Sequence, residues 1–156
     1  DLNNKKNIAY RIFVDHIRTC VIAIFDGTVG DCNNRGFVLR KIVRKLLLNY
    51  YLYLNNYTVK SLFNHHIINA LITEILNFHL LKKHDSEKIR KVLLDEEILY
   101  VGIIYKLKNK YDQLVKSKNI TYAIEKLLEE KEKLKTSSGI DEEFITNMNK
   151  LKFIPF

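Results

Sequence analysis

The chain has 156 residues, 47% of them hydrophobic and 28% charged, enough for one domain with a real core and too apolar for a disordered segment. Its formal net charge of +8, from 26 Lys and Arg against 18 Asp and Glu, favours an anionic partner. The apolar runs are broken by Asn, His or Lys well short of about 18 residues, which excludes a transmembrane helix. One proline and five glycines leave few breaks, so the expected class is all-α: a bundle of five to six helices. Cys20 and Cys32 do not make a disulfide framework, and a reducing compartment follows.

Residues 1–7 are polar and read as a frayed leader, with a first helix over about 4–25. Ile8, Ile12, Phe13, Ile17, Val21, Ile24 and Phe25 form its apolar stripe. Asp26-Gly27 ends it, because glycine accepts the left-handed backbone of a helix terminus. Asn33 or Asn34 is positioned to cap a second helix over 34–54. On that helix Leu39, Ile42, Val43, Leu46 and Leu47 share one arc, and Arg40, Lys41, Arg44 and Lys45 the opposite one. No acid occurs between Asp31 and Glu74, so the basic arc is expected to stay un-neutralised, a ledge for phosphates beside a helix N-terminus.

Asn55-Asn56 predicts a turn, and Thr58 the N-cap of a third helix over 58–82. Leu62, Phe63, Ile67, Ala70, Leu71, Glu74, Ile75 and Phe78 set its periodicity, and it reads as packed on several sides. A long fourth helix spans about 86–116, with acids in its first turn. A charge-alternating helix at 120–135, a loop at 136–139 and a short helix at 141–150 capped by Asp141 complete the chain. No strand is expected. Asp15 and Arg18, at i and i+3, are placed so that they can pair, with His16 alongside as part of a structural network. No metal set is expected, since His16, Cys20, Cys32 and His65 match no standard spacing. No nucleophile–base constellation appears, so no catalytic residue is assigned.

The run Tyr10-Arg-Ile-Phe-Val-Asp-His-Ile-Arg-Thr19, then Asp26-Gly27, then Arg35-Gly-Phe-Val-Leu-Arg-Lys-Ile-Val-Arg-Lys45 resembles the segment after the catalytic core of alanyl-tRNA synthetases. Ile89, Val92, Leu93, Glu96, Glu97 and Tyr100 fall at the spacing of a later helix in that family. Met148–Phe156 is similar to a decayed form of its L-Y-D-T-Y-G-F-P turn. The resemblance implies a single helical tRNA-recognition domain over 1–156, a piece of a cytoplasmic or organellar ligase. It would grip the acceptor stem of alanine tRNA beside an upstream class II core that uses ATP and Mg2+. The class II motifs are absent here, so the piece alone is expected to be inactive and to need no cofactor.

Asn33, Asn34, Arg35, Arg40, Lys41, Arg44 and Lys45 are the candidate tRNA-facing residues, and by the same resemblance the arginines among them contact the acceptor stem or brace the domain against the catalytic core. Cys32 falls where the family has an asparagine that reads a G·U wobble pair, and Lys150 where it has the aspartate that also reads it. Cysteine donates poorly and lysine cannot accept. Either Asn33 and Asn149 take over by a one-residue shift, or this protein reads its tRNA differently. The alternative function is a helical interaction or oligomerisation module, centred on 86–135, without RNA binding.

Overall fold

A computed structural model describes residues 2–29, 34–134 and 140–156. Helix α1 spans Leu2–Phe25 and α2 spans Asn34–Asn49, running without a break into a π-helical turn at Tyr50–Leu54. A short strand β1 (Thr58–Val59) precedes α3 (Ile67–Phe78) and a 3-10 turn (Lys83–Asp85). The long helix α4 (Ser86–Ser117) is about 48 Å from end to end at 1.5 Å per residue. It is followed by α5 (Ile120–Leu134), α6 (Glu142–Thr146), a 3-10 turn (Met148–Lys150) and β2 (Lys152–Phe153). The class is all-α, as the composition and periodicity indicate.

The α2–π rod is the centre of the bundle. Leu46, Leu47, Leu48 and Asn49 are consecutive and all buried, as are Tyr51, Leu52 and Tyr53, so neighbours enclose this half of the rod on every side. From α1, Ala9, Ile17, Cys20, Val21 and Ile24 supply one wall, and Ile89, Leu93, Tyr100, Ile104 and Tyr111 of α4 another. In the wide π turn Asn55 N–H reaches back to Tyr50 O at 2.7 Å. Tyr51 bonds to Glu97 on α4 and Tyr53 to Glu143 on α6, so this single turn of the rod is tied to two different helices.

Three local expectations fail. Residues 58–66 are not helical: Thr58 is a strand residue, and Thr58 and Val59 pair in parallel with Lys152 and Phe153, so a small sheet exists where none was expected. Helix α3 is therefore only 12 residues, and it buries Ile68, Ile72 and Leu76. Ile67 and Phe78, which the periodicity assigns to the packed face, are 57% and 79% exposed. An almost wholly apolar helix offers no phase of its own, and the surrounding walls choose the face. The loop at 136–139 lies outside the described residues.

Candidate nucleic-acid interface

The site begins at the elbow between α1 and α2. Gly27 adopts φ +98°, its N–H bonds to Ile24 O at 2.9 Å, and Thr28 N–H bonds to Ala23 O at 3.0 Å, which is the Schellman closure. Asn34 starts α2 at φ +51°, a left-handed conformation that asparagine tolerates better than most residues. It therefore shapes the entry backbone, rather than standing in the extended conformation usual for a capping residue. Asp26, Gly27, Thr28, Val29, Asn34, Arg35 and Gly36 line a cleft of about 320 Å³ there. Arg35 is exposed, and Gly36 is buried behind it. Cys32 and Asn33 lie outside the described residues, as does Asp31.

Beyond the elbow the basic arc divides. Arg40 Nε lies 3.4 Å from Glu96 Oε2, with only 21% and 8% of the two side chains exposed. Arg44 is 6% exposed, and its guanidinium stands 5.4 Å from the centre of the Tyr100 ring. Burial, reinforced by neighbouring Arg40, lowers the pKa of Arg44, although Tyr100 and Glu96 work against that. Lys45 Nζ bonds to Asp141 Oδ2 at 3.1 Å, with both side chains about half exposed. The expectation of an un-neutralised ledge is therefore corrected. The sequence holds no acid between Asp31 and Glu74, but folding delivers Glu96 from α4 and Asp141 from ahead of α6. Lys41 stays exposed, with its ammonium 4.4 Å above the Phe37 ring. The outward members of the set among the described residues are Asn34, Arg35 and Lys41, with Lys45 half committed.

On α1, Asp15 and Arg18 are both exposed, and no ion pair joins them among the described residues. Asp15 contributes only its carbonyl, which accepts from Thr19 Oγ1 at 2.9 Å. His16 is half-buried; burial lowers its pKa, Asp15 pulls the other way, and the Lys45 charge adds to the lowering. The Asp15–Arg18 pair is thus absent, and His16 lies near enough to Lys45 of α2 to feel its charge.

Asn149 and Lys150 are exposed near the opposite end of the rod, with Lys150 Nζ 5.2 Å from the centre of the Tyr57 ring. Asn34 and Leu54 bound a continuous rod of roughly 30 Å. Asn34 and the Asn149–Lys150 pair are therefore held apart, not gathered into one reading head.

The residue that sequence reasoning missed is Glu97. It is 0% exposed, and its carboxylate accepts from Tyr51 Oη (2.9 Å), Ser61 Oγ (2.6 Å), Leu62 N–H (3.0 Å) and Phe63 N–H (3.4 Å). Burial pushes its carboxyl pKa up despite these four donors. The signal was present as two adjacent acids on an otherwise apolar face of α4, where an ionised group is tolerated only if its partners are supplied. Among the described residues, no group of three or more His, Cys, Asp or Glu is gathered for a metal, and no helix is long and apolar enough to cross a membrane.

Residues 1–152 match the family described as tRNA synthetases class II (A). The alanine–tRNA ligase of Buchnera aphidicola subsp. Baizongia pistaciae is 31% identical over 105 residues, which is 67% of this chain and 12% of that protein. That of Wigglesworthia glossinidia brevipalpis is 30% identical over 117 residues, 70% of this chain and 13% of the relative. That of Mycoplasma capricolum is 25% identical over 120 residues, 74% and 13% of the two chains. The chain thus spans about an eighth of the length of these relatives. No solved structure matches it. With a helical bundle whose quoted motifs fall on α1, α2 and α4, and with matches that cover most of its length, the chain belongs to the alanyl-tRNA synthetase family.

Proposed function

We propose that residues 1–156 form one helical domain that recognises the acceptor stem of alanine tRNA, within a ligase whose other segments activate alanine with ATP and Mg2+ and transfer it to the tRNA. The observation that carries this reading is the sorting of cations along α2. Arg40 and Arg44 are turned inward onto Glu96 and Tyr100, while Arg35 and Lys41 stay exposed and Asn34 and Arg35 line the polar elbow. In this reading Asn34, Arg35 and Lys41 meet the RNA, with Asn33 beside them in sequence, while Arg40, Arg44 and Lys45 hold the rod in place. Phosphate contacts of this kind fix register on a duplex, and edge contacts from loop residues supply selectivity. Asn149 or Lys150, near the far end of the rod, would meet a different part of the stem from Asn34. The isolated chain binds RNA but charges none, and the intact ligase works in the cytoplasm or in an organelle that translates.

The test is tRNA binding by the intact ligase as a function of salt. Replacing Arg35 and Lys41 with alanine should weaken binding and flatten the log–log salt slope by about one per lost phosphate contact, with the melting temperature unchanged. An unchanged affinity and slope would overturn the assignment. Self-association with no RNA affinity would point instead to the interaction-module alternative.

A further inference from the structure

Helix α3 ends in the same closure as α1, with a different residue at its key position. Leu80 N–H bonds to Asn77 O at 3.0 Å and Leu81 N–H to Leu76 O at 2.8 Å, matching the bonds made by Gly27 and Thr28. The left-handed position is filled by Leu80, at φ +57°. A leucine there carries a steric strain that glycine avoids. Leu80 gains no packing in return, since it is 94% exposed. Two residues earlier Phe78 is 79% exposed, its ring set edge-on to His79 with centroids 5.1 Å apart. Lys82 and Lys83, both exposed, follow after Leu81, and no acid occurs between Glu74 and Asp85. Strain and apolar exposure at one tip point to a contact made outside the fold, and the local charge selects an anionic partner.

We infer that Phe78 and Leu80 form an apolar wedge that docks on unstacked bases at an unpaired or terminal stretch of the bound RNA, with Lys82 and Lys83 on the adjoining phosphates. This contact presupposes the RNA partner proposed above. An exposed phenylalanine is a stacking platform for any base, and an apolar tip held away from its own core can enter between bases. The strained backbone keeps the leucine projecting.

The experiment uses the intact ligase and two RNAs, the acceptor stem with its single-stranded end and the same stem made blunt. Phe78→Ala and Leu80→Gly should each weaken binding of the first about fivefold or more and leave the second unchanged. Leu80→Gly relieves the left-handed strain, so its melting temperature should hold or rise while affinity falls. Equal affinity of both variants and the parent for the single-stranded RNA would overturn the wedge, as would an equal loss on both RNAs. The Arg35→Ala/Lys41→Ala protein separates the two proposals. Weakened binding there with unaltered wedge variants removes the wedge alone, whereas no loss in any variant removes the RNA reading with it. Maleimide labelling of Leu80→Cys, read on its own peptide, should be fast in the free ligase and slowed by the single-stranded RNA. Protection without RNA would mean that the tip sits in a protein socket, and protection by anionic vesicles but not RNA would mean a membrane surface; either overturns the wedge.

Discussion

Tyr51 Oη donates a 2.9 Å hydrogen bond to Glu97 Oε2, and both residues are completely buried. The next residue back on α4, Glu96, pairs instead with Arg40, eleven positions earlier on the rod. Two neighbouring carboxylates thus serve points roughly 16 Å apart along α2 and its π turn. Glu97 also holds the non-helical stretch at Ser61–Phe63 by its hydroxyl and amides. Burial pushes the Tyr51 phenol up as well, and the carboxyl charge and hydrogen bond of Glu97 add to that.

Replacing Glu97 with alanine strands two buried amides and the Tyr51 hydroxyl, and should cost about 4 kcal/mol in urea unfolding; Glu97→Gln, which keeps one acceptor, should cost about 1–2 kcal/mol. The folded pKa of Glu97 is raised above its unfolded value, so the native state holds this proton more tightly. The resulting contribution is full below the unfolded carboxyl range and is lost as pH rises through the folded value. The gap between wild type and Glu97→Gln should therefore be widest in mild acid and narrow towards neutrality. A gap that widens with pH would reverse the sign of this linkage.

Arg40→Glu and Arg44→Glu look from sequence like binding variants, but the structure makes them folding variants. Arg40→Glu sets a second carboxylate against the nearly buried Glu96 and should cost about 3–5 kcal/mol. Arg40→Met should cost about 2–3 kcal/mol, and a cycle with Glu96→Gln should recover about 1 kcal/mol or more as coupling. Thermal melts of the four proteins check this.

Burial pushes the Cys20 thiol up to about 12, and the residue is 0% exposed. At neutral pH it is neither a thiolate nor reachable. Alkylation mapped to the Cys20 peptide should be negligible in the native protein and should follow the unfolding curve in denaturant. Rapid native labelling would contradict the packing of α1 on α2.

Gly27→Ala should lose about 1 kcal/mol of stability, because φ +98° disfavours any β-carbon. A methyl added there meets nothing within 4 Å, so the loss is conformational and not steric. Gly27→Asn should be milder. Urea midpoints with unchanged slope are the readout.

Helices α1, α2, α4 and α5 were legible from periodicity and from their terminal residues to within a few positions. The stretch at 58–66 was not, because Val59, Leu62 and Phe63 suit a helix as well as a turn. What decides it is a carboxylate more than thirty residues away that takes the amides of Leu62 and Phe63. The cationic arc was misjudged for the same reason. A local tally of acids is blind to Glu96 and Asp141, which only tertiary folding brings to Arg40 and Lys45. The elbow, where the relevant residues are consecutive, was readable as a polar break, though not the left-handed turn of Asn34.

The short pairing of Thr58 and Val59 with Lys152 and Phe153 has a consequence for synthesis. Asn56 and Tyr57 are both left-handed, and Tyr57 O is secured by the amide of Lys152 at 2.9 Å. On a ribosome the earlier half of this clasp emerges long before its mate, and loop closure over such a span is slow. Until the later strand arrives, the strained corner has lost one of its fasteners, so a nascent chain paused before residue 152 should be open to proteases near Tyr57 while its first two helices are already docked.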